Sequence, residues 1–435
     1  MTHYQNRRQR LLDAMPAESL AILPGASLVT RSRDTEYPFR QNSDFWYLTG
    51  FNEPDAWLVL HKTTEKTTSH VFVLPKDPKQ EVWTGRRLGP EAAPQQLGVD
   101  QAWSVEQLDE QLATWLGGVN SVWMPFDDAA LYPRWLSWRS LALKKGQRKA
   151  CLPQQLVDLS GWLAEQRLIK DEQEQALMRR AAEISAQAHV QVMRTCRPGL
   201  FEYQLQAQLE AFFVDQGASG PAYASIVGSG ANACILHYID NQKRLEAGEL
   251  VLIDAGAEYQ GYAGDITRTF PVSGRFSPPQ RQLYDWVLAA NEAAIALVRP
   301  GVTLEAIHQK VLAVLTEGLL SLGLIQGDLN VCLEQEAWRP FFMHGTGHWL
   351  GLDVHDVGRY RQQGQPRALQ RGMVLTIEPG LYIAEDELSV APEWRGIGIR
   401  IEDNLLVTAS GAEVLTQGVP KQADAIEALM AEPAA

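Results

Sequence analysis

The twenty-one residues LVLIDAGAEYQGYAGDITRTF (250–270) constrain this chain more than any other stretch. Apolar, β-rich runs flank Gln260-Gly261, the tightest loop available, so the segment reads as a β-hairpin. With a two-residue loop, Asp254 falls opposite Thr267 and Asp265 opposite Gly256, and both aspartates leave the same face as diagonal neighbours. Diagonal Cα atoms lie about 7–8 Å apart, within reach of one shared cation. Gly256, lacking a side chain, leaves room beside Asp265. Two solvated strand aspartates would be the bland reading. Against it, Leu250-Val251-Leu252-Ile253 is typical of a buried strand. Burying a lone carboxylate costs several kcal/mol, and two on one face repel unless a cation lies between them. The pair is therefore read as metal-binding.

Three further segments carry acids or imidazoles on strand-like or glycine-bearing chain. In GIGIRIEDN (396–404), Ile397, Ile399 and Ile401 share one face, and Arg400, Glu402 and Asn404 share the other. In MVLTIEPG (373–380), Glu378 ends an apolar strand just before a Pro-Gly turn. A salt bridge would explain either glutamate alone equally well. MHGTGHWLGLDVHD (343–356) holds His344, His348 and His355. Gly345 and Gly347 disfavour a helix, and no Glu follows His344, so this is not the H-E-x-x-H zinc arrangement. Three histidines in a glycine-bearing loop nevertheless read as a site. His237, in ACILHY, fits a core role and a catalytic role equally, while His3, His61, His70, His189 and His308 have no neighbours that suggest one. Together, Asp254, Asp265, His348, Glu378 and Glu402 offer four carboxylates and one imidazole, a set suited to a pair of hard or borderline divalent ions.

At 435 residues the chain exceeds what one hydrophobic core supports, so two domains are expected. Apolar residues at 45% and charged residues at 21% indicate a folded, soluble protein. A net charge of −13 argues against nucleic acid or an anionic membrane as partner. The strongest basic cluster, Arg7, Arg8 and Arg10, reads as a solvated helix face. The sequence shows no long apolar span and no secretory start, which reads as cytoplasmic. Cys151, Cys196, Cys234 and Cys332 lack C-x-x-C spacing and read as buried free thiols.

Residues 1–169 alternate short apolar runs (LAILPG, FWYLTGF, AWLVLH, HVFVLP, SVWMPF) with helical stretches, an α/β domain. The texture changes at KDEQEQALMRRAAEISAQAHVQVM, opening a second domain over 170–435. Helices there are signalled at FEYQLQAQLEAFFVDQG, after Ser277 and after Thr303, alternating with antiparallel hairpins, an α+β arrangement.

The order Asp, Asp, His, Glu, Glu on IDAGAEYQGYAGDITRTF, HGTGHWLGLDVHD, TIEPGLY and GIGIRIED resembles the proline-specific M24 metallopeptidases, and within them the Xaa-Pro aminopeptidase group. FRQNSDFWYLTGF and EVWTGRRLGP resemble that group's N-terminal domain, so the likeness spans nearly the whole chain. It implies a C-terminal pita-bread fold, with helices over a strongly curved antiparallel sheet. It also implies a metallo-aminopeptidase acting on peptides with proline in second position through a hydroxide activated by two divalent ions, usually manganese. Asp254 would serve one ion, His348 and Glu378 the other, with Asp265 and Glu402 bridging. Glu378 would shuttle the proton, His344 and His355 would face the reacting peptide, and His237 the proline end. Arg400 is placed to orient a ligand carboxylate, and Tyr382 to do likewise or to pack in the core. Gly347 departs from the pattern, since relatives often have a small polar residue there. The family implies a homo-oligomer, dimer or tetramer, with an N-terminal aromatic such as Trp83 expected to close a neighbour's cleft. Prolidase, with the same ligands but dipeptide substrates, is the nearest alternative. A non-catalytic pita-bread binding module is a second, and it has no need of five metal ligands.

Overall fold

The structure is a computed structural model that describes residues 2–146 and 152–432. Two compact units divide it, 1–164 and 165–435. The first is built on a six-stranded mixed sheet in the order Gln101–Ser104, Thr67–Val73, Trp57–Lys62, Ser19–Pro24, Ser121–Met124, Gln155–Asp158. Its central pairings are antiparallel and its outer ones parallel. Ser19–Pro24 is almost wholly buried, and for that reason its sequence is apolar without alternation.

Two expectations for this unit change. FWYLTGF is no strand but lies mostly in the helix Ser43–Thr49, where the Asn42 side chain accepts from Phe45 N and Gly50, at φ 63°, ends the last turn. The apolar run exists because Phe45, Tyr47 and Leu48 are buried. Arg7 and Arg8 are not on a solvated face, each being only 2% exposed. Their guanidinium groups donate to helix-terminal carbonyls, Arg7 to Tyr47 O and Arg8 to Leu48, Leu97 and Gly98 O. Those carbonyls close Ser43–Thr49 and Gly89–Leu97, where a fixed positive charge meets the negative helix ends. Trp83, on helix Pro78–Thr84, is 85% exposed. Of the cysteines, Cys196 and Cys332 are buried free thiols, Cys234 is half-buried, and Cys151 lies outside the described residues.

In the second unit, helices Glu172–Thr195, Pro278–Leu297 and Leu304–Ser321 open at Asp171, Ser277 and Thr303. They pack on antiparallel strands around one large apolar core. The first hairpin has the expected register, Asp254 beside Thr267 and Tyr259 beside Tyr262. Gln260 and Gly261, at φ 49° and 86°, form its loop, the paired positive φ of an I′ turn. At Gly256 a Cβ would fall 1.8 Å from the Gly264 carbonyl oxygen, so only glycine allows this approach.

The second hairpin is interrupted. Val374–Ile377 pairs with Asp403–Val407 and Gly380–Ile383 with Ile397–Arg400, in one continuous register that leaves Glu378 and Glu402 at facing positions in the gap. Buried Asn291, from helix Pro278–Leu297, donates to the Ile377 and Ile401 carbonyls that the gap would leave unpaired. Residues 346–350 run along the free edge, with Thr376 N donating to His348 O and Glu378 N to Thr346 O. Glu402 N donates to Thr267 O and ties the two hairpins together.

Beyond the His355 turn, buried Asp356 binds Arg167 and Lys170, with Lys170 Nζ 2.9 Å from its Oδ2. Burial alone would raise this carboxyl, but the two cations outweigh it and hold the group below its usual range. A carboxyl lowered on folding stabilises at pH above its unfolded value, about 3.9, and that contribution is lost as pH falls through the folded value. Melting temperature is therefore expected to fall as pH drops below about 4. Asp356→Asn is expected to cost roughly 3–5 kcal/mol at neutral pH, because buried Lys170 loses its carboxylate and Arg167 keeps only the more exposed Asp353 of its two acids, and to flatten the acid limb. Calorimetry from pH 7 to 3 checks this, and equal acid slopes in both proteins would refute it.

Candidate metal centre

The two hairpins and the 344–355 loop meet at a cavity of ≈ 540 Å³. All nine candidates from the sequence line it: Asp254, Asp265, His348, Glu378 and Glu402, together with His237, His344, His355 and Arg400. Asp254, Asp265, Glu402 and Arg400 are buried, and Glu378, His344 and His348 are partly buried. His237 and His355 are exposed at the rim.

Ligand atoms of Asp265, His348 and Glu402 lie within 4.8 Å of one another. His348 Nε2 is 3.4 Å from Asp265 Oδ2 and 3.7 Å from Glu378 Oε1. Its Nδ1 lies 2.9 Å from Trp349 O, which orients Nε2 toward the carboxylates. Asp254 is held from both sides, by Arg400 Nη2 at 2.7 Å on Oδ2 and by the Tyr223 hydroxyl at 2.6 Å on Oδ1.

Charge in this wall is unbalanced. Burial and then the neighbouring carboxylates push Glu402 well above its ordinary range, and burial is also the main cause that lifts Asp265. Burial lifts Glu378 to about 7 against the pull of His348 and Arg400. For His348, burial works downward, but contact with Asp265 and the field of Glu378 outweigh it and raise the imidazole to about 9. His344, buried beside the Arg400 charge, is driven down to about 3 and stays neutral. Carboxyls raised together in a buried cluster are a site that added positive charge would stabilise. The donors are carboxylate oxygens and one imidazole with its second nitrogen already occupied, a set that fits manganese, cobalt, iron or zinc as divalent ions.

Among the supporting contacts, Arg400 pairs with the carboxylate of Asp254, one of the ligand candidates. Its Nη1 donates to the Tyr382 hydroxyl, which lies 2.8 Å from His344 Nε2, so the polar tip of Tyr382 is engaged and not merely packed. Gly347 lies so close to Thr376 O that a Cβ would sit 2.0 Å from it. Four further contributors were not singled out by the sequence. Tyr223 touches both Asp254 and Asp265, and the Thr267 hydroxyl donates to Glu402 Oε2 at 2.7 Å. His189 Nε2 lies 2.9 Å from Ala255 O, and His308 Nδ1 2.7 Å from the Thr346 hydroxyl. Of these, only Thr267 was within reach of the sequence, from the register that places it beside Asp254.

Comparison with known proteins gives a consistent picture. The sequence profile described as Metallopeptidase family M24 matches residues 176–409, and that described as Aminopeptidase P, N-terminal domain matches residues 4–123. Xaa-Pro aminopeptidase of Escherichia coli is 48% identical over 430 residues, spanning 98% of this chain and 97% of its own. The solved structure of proline aminopeptidase P II from Yersinia pestis superposes with a TM-score of 0.96 at 50% identity, over 99% of this chain and 100% of that one. Aminopeptidase PepP from Pseudomonas aeruginosa gives 0.96 at 47%, over 98% and 97%. The second unit thus has the pita-bread fold of divalent-metal peptidases, preceded by an aminopeptidase P N-terminal domain. On profile, identity and superposition alike, the chain belongs to metallopeptidase family M24.

Proposed function

We propose that this chain is an aminopeptidase that hydrolyses the N-terminal Xaa-Pro bond of peptides with two divalent ions, manganese foremost. The observation that carries the reading is the convergence of all five ligand candidates and three histidines on one cavity wall. The activity named for the Escherichia coli relative supports the choice of bond. Asp254 is assigned to one ion, His348 and Glu378 to the other, and the central pair Asp265 and Glu402 to both.

When bound, the ions supply a water of lowered pKa and polarise the scissile carbonyl. Glu378, whose Oε1 is 3.7 Å from His348 Nε2 and whose Oε2 is 3.6 Å from His344 Nδ1, takes the proton of the attacking water and returns it to the departing amine. An Xaa-Pro bond leaves a secondary amine, so this protonation is required for expulsion. His344, braced by Tyr382, and His355, packed edge to face against His348 at 4.3 Å between centroids, hydrogen-bond the reacting peptide. His237, beside Leu236 and Ile239 at the rim, faces the proline ring. Arg400 fixes Asp254 and so acts through that carboxylate.

The reading includes a cytoplasmic location, in keeping with three free thiols and with no helix, among the described residues, long and apolar enough to cross a membrane. It also includes a homo-oligomer, dimer or tetramer, to which exposed Trp83 contributes an apolar contact at a neighbour's cleft. Light scattering is expected to show an assembled wild-type enzyme, and peptide kinetics are expected to show a raised KM for Trp83→Ala. A fully active monomer would exclude this.

The first experiment is release of the N-terminal residue from Xaa-Pro-Yaa and from Xaa-Pro, with metal-stripped protein and manganese added back. Manganese-dependent cleavage of the tripeptide is expected. Cleavage of the dipeptide alone would make the chain a prolidase, and cleavage of neither with metal bound would indicate a non-catalytic module. Asp265→Ala or Glu402→Ala is expected to abolish turnover and tight metal binding together. His355→Ala is expected to retain its metal and lose roughly 10²–10⁴-fold in kcat. Metal analysis of the purified variants checks the division, and a His355 variant without metal would refute it.

A further inference from the structure

Helix Glu202–Asp215 contributes no residue to the metal-centre cavity, yet Glu202 at its first turn is fully buried, a placement that ionisable side chains rarely adopt unless paired. Among the described residues no cationic side chain pairs with it. Its carboxylate instead accepts from five donors of a single segment. Oε1 receives Ser229 N at 2.7 Å, Ser229 Oγ at 2.8 Å and Asn232 Nδ2 at 3.1 Å. Oε2 receives Tyr238 Oη at 3.0 Å and Lys243 N at 2.8 Å. That saturates the roughly four lone-pair positions of a carboxylate.

The same helix face continues the attachment at intervals of four residues. Gln206 Oε1 accepts from Asn241 Nδ2, and Glu210 Oε1 accepts from the Ser225 hydroxyl. Asn241, held at φ 51°, also receives Val227 N on its own side-chain oxygen. Between these anchors the chain projects Leu236, His237 and Ile239 to the cavity rim, with His237 and Ile239 exposed and no regular element to hold them.

We infer that Glu202 is a positioning residue, a buried carboxylate that holds residues 229–243 in the conformation placing His237 against the proline end of the substrate. The inference rests on the proposed function for what His237 meets, and on geometry for what Glu202 holds. Ionic acceptors suit the task because hydrogen bonds to a charged group are about twice as strong as neutral ones. The helix N-terminus further favours the negative charge.

The test uses the metal-loaded full chain with Xaa-Pro-Yaa tripeptides. In Glu202→Gln an amide N–H faces donors where an oxygen had accepted. KM is expected to rise roughly tenfold, the scale of a lost charge-assisted hydrogen bond, with kcat and metal content within about twofold of wild type. Since Glu202 acts through His237, the Glu202→Gln/His237→Ala double variant is expected to be no worse in KM than His237→Ala alone. Hydrogen exchange is expected to accelerate within 229–243 and not in the hairpins that carry the carboxylates. An unchanged KM, a loss of metal, additive effects in the double variant or unaltered exchange would each overturn the inference. Tyr238→Phe, which deletes one of the five donors, carries the same measurements if Glu202→Gln does not fold. A wild-type chain that cleaves no Xaa-Pro peptide would sink the proposed function instead, leaving exchange to decide whether Glu202 holds the loop.

Discussion

Four carboxyl groups share one largely buried wall, and their mutual repulsion is the constraint around which the second unit is arranged. In water such a cluster would spread apart. Here each acid is fixed to backbone that cannot retreat: Asp254 closes a paired strand, Asp265 faces Gly256 in the gap of the same hairpin, and Glu378 and Glu402 face each other in the gap of the second. At short separations in a poorly polarisable interior this arrangement is worth several kcal/mol of unfavourable energy, so it persists only with compensating positive charge or captured protons.

The scaffold that resists this repulsion is itself polar. Asn404 grips the peptide of Asp265, its Oδ1 accepting from Asp265 N at 3.0 Å and its Nδ2 donating to Asp265 O. Arg268, wholly buried, donates to the backbone carbonyls of Thr267 and Glu402 and pairs with Asp403, which Lys421 also binds. Those two cations outweigh burial and hold Asp403 down at about 2, so this carboxylate stays ionised and belongs to the framework. Backbones of opposite hairpins are thus stitched through side chains more than a hundred residues apart in sequence. Removal of one stitch leaves a buried polar group unpaired, which is why such networks act as units.

Local pattern revealed the parts of this site that lie on regular chain. The register of the first hairpin followed from a two-residue loop, and one glycine excluded by sterics from being anything else, Gly256, agreed with it. Alternation along GIGIRIEDN put Arg400, Glu402 and Asn404 on one face, although the ladder itself breaks between Arg400 and Asp403. Pattern could not show that break, because an unpaired position looks the same in sequence as a paired one until Asn291, from a distant helix, is seen filling it. Arg7 and Arg8 were misread for a related reason: their partners are carbonyls, which leave no trace in the sequence. Tyr223 and Glu202 were invisible on the same grounds, as each acts through contacts made only after the chain has folded.

Charge balance bears on how many ions the wall takes on the proposed reading. Among the described cavity-lining residues Arg400 is the one Arg or Lys, and it is committed to Asp254, so four carboxylates with a neutral His348 leave a net charge of three negative units. A single divalent ion would leave the wall still negative by one, repelling the electron-rich carbonyl oxygen of a peptide. Two would leave it positive by one, which attracts that oxygen and stabilises the oxyanion that forms on it. On that reading the ions take the place of protons in the wall: His348 commits Nδ1 to Trp349 O, which leaves Nε2, facing Asp265 and Glu378 together, as its ligand atom.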